Sequence, residues 1–194
     1  SDVCSSDLVT FIGAYAFKNC TQLGKAVIGS GVEEWGSDWG DNEAFCGCTR
    51  LSDVMINDGC AYIPNYCFQD CTALETITVP GSCVSIGEGA FRYCYRLQEV
   101  ALEEGICHIY AQAFNEDTAL VKAELPSTLL TIDNYAFHNT RLRSAIIPDR
   151  VMTLGSYAFS DNPALRYAYI GESVETWNTD WGTNGAFQND YRLR

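Results

Sequence analysis

Positive charge is scarce in this sequence: 12 lysines and arginines stand against 25 aspartates and glutamates, a formal net charge of −13 over 194 residues. Such a surface repels phosphate backbones and anionic lipid heads, which argues against nucleic acid as a partner. The acidic residues are scattered rather than blocked, as on a solvated surface. Long apolar runs are also missing. None approaches the roughly 20 residues a membrane-spanning helix needs, so no membrane insertion is expected of this segment. The opening SDVCSSDL has neither a basic region nor an apolar stretch, so it does not read as a signal peptide. Histidine is limited to His108 and His138, both in polar positions where surface placement is expected. No Ser, His and acid recur together as a nucleophile with its base. Pairs such as Glu33–Glu34 or Glu103–Glu104 are too common in an acidic chain to mark a glycosidase dyad. The sequence therefore points away from an enzyme, and no cofactor is expected.

What is abundant is apolar and aromatic side chain, 47% and 12% of the residues, enough to build a core. These residues repeat. A phenylalanine preceded by a small residue occurs at Phe17, Phe45, Phe68, Phe91, Phe114, Phe137, Phe159 and Phe187, with gaps of 28, 23, 23, 23, 23, 22 and 28 residues. A leucine follows six residues later in nearly every unit, and five later, at Leu142, in the short one. Nine and eleven residues after the phenylalanine stand apolar pairs, among them Ile77 and Val79, Val100 and Leu102, and Ala168 and Ile170.

Each unit has a physical reading. The step from the ninth to the eleventh position is the period-2 alternation of a strand. Pro80, Pro126 and Pro148 end that strand. A second short apolar patch follows, as in Val84 and Ile86, then a turn and the Ala-Phe pair. One unit cannot bury its own apolar face, but stacked units share a continuous core at about 4.8 Å per step. The expected fold is a right-handed repeat solenoid of leucine-rich-repeat type. Stacked short parallel strands and turns make it mostly β, with short helical turns near the Ala-Phe pairs. Residues 9–194 form about eight repeats, truncated at both ends. Residues 1–8 fit no register and are expected to be a non-native or disordered tail.

The segments IGAYAFKNCTQL, IGEGAFRYCYRLQEVAL and LETITVPGSCVSIGEGAF resemble the BspA-type leucine-rich repeat, also called the Treponema pallidum-type repeat. Its pattern is an Ile-Gly turn, an Ala-Phe pair, a Cys or Asn, a Leu and an Ile-x-Ile-Pro strand. Cys67-Phe68 departs from the Ala-Phe pair, and Tyr110 and Asp133 depart from the turn glycine. The resemblance implies a curved parallel solenoid in a secreted or cell-surface bacterial protein. It also implies adhesion to a protein or glycan on host or neighbouring cells.

Three residues after their phenylalanine stand Cys20, Cys48, Cys71 and Cys94, then Asp117, Asn162 and Asp190, with Asn139 or Thr140 in the short repeat. A disulfide column would not drift into Asn and Asp. A ladder of small polar side chains that bond turn backbone groups would, and it predicts buried, reduced thiols at all four cysteines. Cys60 and Cys83 share another column where stacking permits either a disulfide or two free thiols. The Cys46-x-Cys48 pair lacks two further ligands, so no metal site is read there.

Two features point to partners. The long units carry GVEEWGSDWGDNEAF and SVETWNTDWGTNGAF. Trp35 and Trp177 fall in core positions, whereas Trp39 and Trp181 fall in the extra residues. There they either staple a bulge or form an aromatic platform for a sugar or peptide. The second feature is the face opposite the inward strand positions. Its tenth-position column includes Val27, Met55, Ile146 and Tyr169, and the eighth adds Tyr167. This stripe is either plain β-propensity or a recognition surface. The expected function is non-enzymatic extracellular binding and adhesion. The alternative is a structural spacer or an accessory segment of a larger protein.

Overall fold

The computed structural model describes residues 3–4, 9–37, 40–177, 185–190 and 192. In chain order the strands are β1 (Val3–Cys4), β2 (Phe11–Ile12), β3 (Lys25–Ile28), β4 (Glu34–Trp35), β5 (Asp53–Ile56), β6 (Tyr62–Ile63), β7 (Thr76–Val79) and β8 (Ser85–Ile86). They continue with β9 (Glu99–Leu102), β10 (His108–Ile109), β11 (Lys122–Glu124), β12 (Thr131–Ile132), β13 (Ser144–Ile147), β14 (Thr153–Leu154), β15 (Tyr167–Ile170) and β16 (Thr176–Trp177). The odd-numbered strands form a main sheet and the even-numbered ones a narrow lateral ribbon. All pairing among them is parallel and offset by one repeat, as in Ile77↔Val100 and Ile63↔Ile86. The chain is a parallel β-solenoid.

Alternation sets which residues enter the core. TITV, EVAL and SAII each bury their second and fourth residues and expose the others. The two-residue lateral strands from β2 to β14 each bury their second residue, as at Ile63, Ile86 and Ile109. Between the sheets runs the phenylalanine column. Phe45, Phe68, Phe91, Phe114, Phe137 and Phe159 are each at most 1% exposed. Successive rings of the whole column stack at 5.0–5.5 Å, nearly parallel. One core cluster runs from Ile12 to Ala186, with Phe17 and Phe187 only partly buried at its two ends.

The expected helical turns are absent: among the described residues the Ala-Phe segments contain turns and no helix. The reason is a left-handed residue on each side of the phenylalanine. Two residues before it, φ is positive at Tyr15, Glu43, Tyr66, Gly89, Gln112, Tyr135 and Tyr157; two residues after, at Asn19, Gly47, Asp70, Tyr93, Glu116, Asn139, Asp161 and Asn189. An α-helix cannot propagate through such residues. Alternate backbone N–H groups leave the turn for the next repeat instead: Tyr15 donates to Asn42, Phe17 to Ala44 and Asn19 to Cys46. Those between them close three-residue steps, as Ala16 does to Gly13 and Cys20 to Phe17. Backbone bonding thus runs along the solenoid on the turn side as well as in the strands.

Val3 and Cys4 fall into register with Ala26 and Val27 and add one strand to the main sheet.

Among the described strands the ladders are interrupted at three places. The lateral ribbon opens between β4 and β6, beside the five extra residues that separate Trp35 from Phe45. The main sheet opens between β11 and β13, ahead of the repeat that is one residue short, and again between β5 and β7.

Candidate functional site

The main sheet presents its outward side chains in two columns. Tyr167, Tyr169, Ile146 and Met55 are exposed, with Ile146 at 57% and Tyr167 at 51%. Val27 is only half-buried, beside its partner Met55. Parallel pairing sets Tyr169 next to Ile146 and Tyr167 next to Ser144, so the aromatic pair and the isoleucine form one patch. The Tyr169 hydroxyl donates to Asp149 Oδ1 at 2.8 Å, which fixes that ring. Val27 and Met55 form a second patch, separated from the first by Thr78, Ala101 and Glu124. The stripe is therefore two patches rather than one. Beside Ile146, the opening between β11 and β13 holds a cavity of about 300 Å³, lined by Val121, Lys122, Ala123, Glu124, Leu125, Ser144 and Ile146. Ile170, expected to face inward, is 38% exposed because no described strand covers β15 on its far side.

The polar ladder forms, with one correction. Cys48, Cys71 and Cys94 are buried free thiols, and each reaches back one repeat to a phenylalanine carbonyl. The Sγ donates to Phe17, Phe45 and Phe68 at 3.1, 3.4 and 3.3 Å. Asn162 Nδ2 donates in the same way to the Phe137 carbonyl at 3.0 Å. Burial pushes the Cys48 thiol up to about 11 and holds Cys71 and Cys94 well above the ordinary range, so they stay protonated donors. Cys20 is exposed instead of buried. Among the described residues no phenylalanine carbonyl of a preceding repeat stands behind it.

The ladder oxygens accept as well. Asp117 Oδ1 takes the Cys94 N–H at 2.8 Å, Asn162 Oδ1 the Thr140 N–H at 3.0 Å, and Asp190 Oδ1 the Asn162 N–H at 2.7 Å. The short repeat thus uses Thr140, which is buried, while Asn139 takes the left-handed position beside it. Cys60 and Cys83 are free, fully buried thiols rather than a disulfide, and Cys60 Sγ donates to the Tyr62 carbonyl at 3.3 Å. Among the described residues no group of three or more His, Cys, Asp or Glu is placed to hold a metal ion.

Trp35 is in the core, 6% exposed, as its alignment with the lateral isoleucines requires. Trp177 pairs with Leu154 in the same ribbon. Trp39 and Trp181 lie outside the described residues.

A further apolar line, which the sequence reading gave to the second apolar patch, is partly or wholly exposed. Ala61, Val84, Cys107, Leu130 and Met152 stand two residues before the buried residue of β6, β8, β10, β12 and β14. They are linked N–H to carbonyl from repeat to repeat. Val84 and Met152 are each nearly half exposed. Alternation places this column on the same face as the buried residue two positions later, so the sequence pattern alone reads it as inward, and only the structure shows its exposure.

Comparison with known proteins follows the same architecture. A profile of the BspA type leucine rich repeat region matches residues 2–39 and 40–166, in six copies. The crystal structure of a T. pallidum leucine rich repeat protein is similar, with a TM-score of 0.71 and 26% identity over 81% of this chain and 72% of that one. The pneumococcal vaccine antigen PcpA shares the fold, with a TM-score of 0.56 and 23% identity, and this chain covers 41% of its length. No curated protein matches the sequence. With the profile covering most of the residues and the repeat geometry in place, the chain belongs to the BspA-type leucine-rich repeat family.

Proposed function

We propose that this chain is the non-enzymatic, partner-binding part of an extracellular or cell-surface protein. It engages a protein on a host or neighbouring cell through the outward face of the main sheet and so mediates adhesion. Leucine-rich repeat domains generally serve as protein-interaction scaffolds, which supports the reading at its coarser level. The observation that carries it is the clustered exposure of Tyr167, Tyr169 and Ile146 on a sheet face of a chain this acidic. Exposed aromatic side chains on a rigid support lose little conformational freedom on binding and recur as interface anchors. The lateral line from Ala61 to Met152 is a second apolar surface on the same molecule.

Surface plasmon resonance against a panel of extracellular-matrix proteins tests this reading. A ligand that binds the wild type is expected to lose about tenfold or more in affinity to the double variant Tyr167→Ser, Tyr169→Ser. Both side chains are exposed, so circular dichroism should show the variant folded. Equal binding by the folded variant would move the site off this face.

A further inference from the structure

We propose that the partner segment seated beside Tyr167, Tyr169 and Ile146 is an acidic peptide, whose carboxylates are held by Arg143 and Arg166. This rests on the outward face of the main sheet being the partner site, and it names the chemistry of the partner. Residues 140–148 and 163–171, which contain β13 and β15, carry three arginines and no acid, in a chain with 25 acidic residues. Arg143 and Arg166 hold the same position in consecutive repeats, directly before Ser144 and Tyr167, which pair in the sheet. The Arg166 N–H donates to the Arg143 carbonyl at 3.1 Å, so the two residues are stacked neighbours. Both are exposed, and so is Arg141 on the other side of Leu142.

Other cations of this chain are paired. Lys18 meets Glu43, Lys25 meets Asp53, Arg96 meets Glu75 and Lys122 meets Glu124. The guanidinium groups of Arg141, Arg143 and Arg166 make no ion pair or hydrogen bond with a described residue. Like charges set side by side on neighbouring strands repel. An anion between Arg143 and Arg166 replaces that repulsion with two attractions. The planar guanidinium presents a fork of donors matched to a carboxylate, and it gives up hydration more readily than an ammonium does.

Size and surroundings select the anion. Neighbouring strands stand about 4.8 Å apart, so this pair of arginines accommodates one or two carboxylates. Acids bound the patch. Glu124 lines the opening on the β11 side, and Asp149, beyond the end of β13, accepts from the Tyr169 hydroxyl at 2.8 Å. A long sulfated glycan would run onto those acids and against the net charge of −13. The exposed Tyr167, Tyr169 and Ile146 offer apolar surface that a peptide side chain covers and a polyanion does not. The opening between β11 and β13, about 300 Å³ and walled in part by Val121, Leu125 and Ile146, has room for one apolar side chain. The fitting occupant carries one or two aspartates or glutamates next to an aromatic or aliphatic residue.

The test is selection of a randomised dodecapeptide display library on the immobilised full chain, followed by fluorescence anisotropy of the enriched peptides. Enriched sequences should hold aspartate or glutamate beside an apolar residue, although the long-range field of this chain favours basic peptides. Arg143→Gln with Arg166→Gln should weaken their binding about tenfold or more. Neither guanidinium is bonded within the described chain, so circular dichroism should show that variant folded. Arg50→Gln with Arg96→Gln removes the same charge elsewhere and should change binding less than about twofold. Basic or uncharged peptides that bind the wild type and are lost in Tyr167→Ser with Tyr169→Ser would overturn the acidic partner while leaving this face as the site. Acidic peptides that bind the Arg143→Gln, Arg166→Gln variant as well as the wild type would overturn it too. A heparin octasaccharide that displaces the enriched peptide and binds more tightly would assign the arginines to a sulfated glycan instead. Absence of any enrichment would also overturn the acidic partner, and the matrix-protein measurement would still decide the face by itself.

Discussion

At the scale of single residues, the ladder assigns a proton. Where Cys94 Sγ and Asn162 Nδ2 donate to a phenylalanine carbonyl of the preceding repeat, Asp117 and Asp190 present a second carboxyl oxygen. Those oxygens, Oδ2 of each, are buried and make no hydrogen bond. A carboxylate there would set negative charge against a carbonyl; a carboxylic acid would donate as the thiol and the amide do. Burial, opposed only by the Cys94 N–H, accordingly holds Asp117 well above the carboxylate range, and burial raises Asp190 to about 7. The neighbouring Glu116 adds to this by like-charge repulsion. The consequence for stability has a definite sign. The unfolded aspartate loses its proton near pH 4, while the folded one keeps it to higher pH. Its contribution is complete below the unfolded value and declines as pH rises toward the folded one, by about 1.4 kcal/mol per pH unit per group. Asp117→Asn should therefore raise the urea midpoint at pH 7.5 more than at pH 4.5. A variant less stable than wild type at pH 7.5 would show that the wild-type carboxyl is ionised.

At the scale of the element, the turns between lateral strand and phenylalanine decide how closely repeats stack. Gly155 and Gly13 occupy the same turn position, yet only one is confined. A Cβ on Gly155 would stand 2.3 Å from the backbone of Asp133 and Asn134 in the preceding repeat. On Gly13, in the first repeat, the nearest atom is a Phe11 ring carbon at 3.7 Å. Gly155→Ala should cost about 1–3 kcal/mol in chemical denaturation, since backbone must move, and Gly13→Ala should be near neutral. Equal effects would mean that the inter-repeat approach at Gly155 is not tight. The turns also place left-handed residues around each phenylalanine. Asn19, Gly47, Asp70, Asn139, Asp161 and Asn189 suit that conformation. Their recurrence one residue ahead of the ladder was the signal in the sequence that argued against helical turns.

For the whole molecule, stability is carried between neighbours. Each phenylalanine ring inside the column has a stacking partner above and below, whereas Phe17 has one, Phe45. Phe91→Ala should cost about 3–5 kcal/mol, the range for emptying a buried ring site, and Phe17→Ala distinctly less. Urea unfolding of the two variants measures the difference. Equal losses would contradict a stack whose energy lies in repeat-to-repeat contacts. The surface charge of −13 sets a different property: long-range repulsion of anionic partners, which salt screens.

The sequence by itself determined the repeat, its register, the inward strand residues, the phenylalanine column and most of the polar ladder. All of these follow from side chains recurring at a fixed spacing, so each copy testifies for the others. Only the tertiary structure decided what happens between copies. It turned the Ala-Phe segments into inter-repeat bonded turns, left Cys20 exposed and Ile170 partly uncovered at the stack's ends, and opened the ribbon beside Trp35. It also set a second oxygen of Asp117 in a buried place without a donor. Spacing along a chain reports which residues are equivalent. How far apart equivalent residues stand, and which atoms meet across the gap, depends on packing that no single repeat contains.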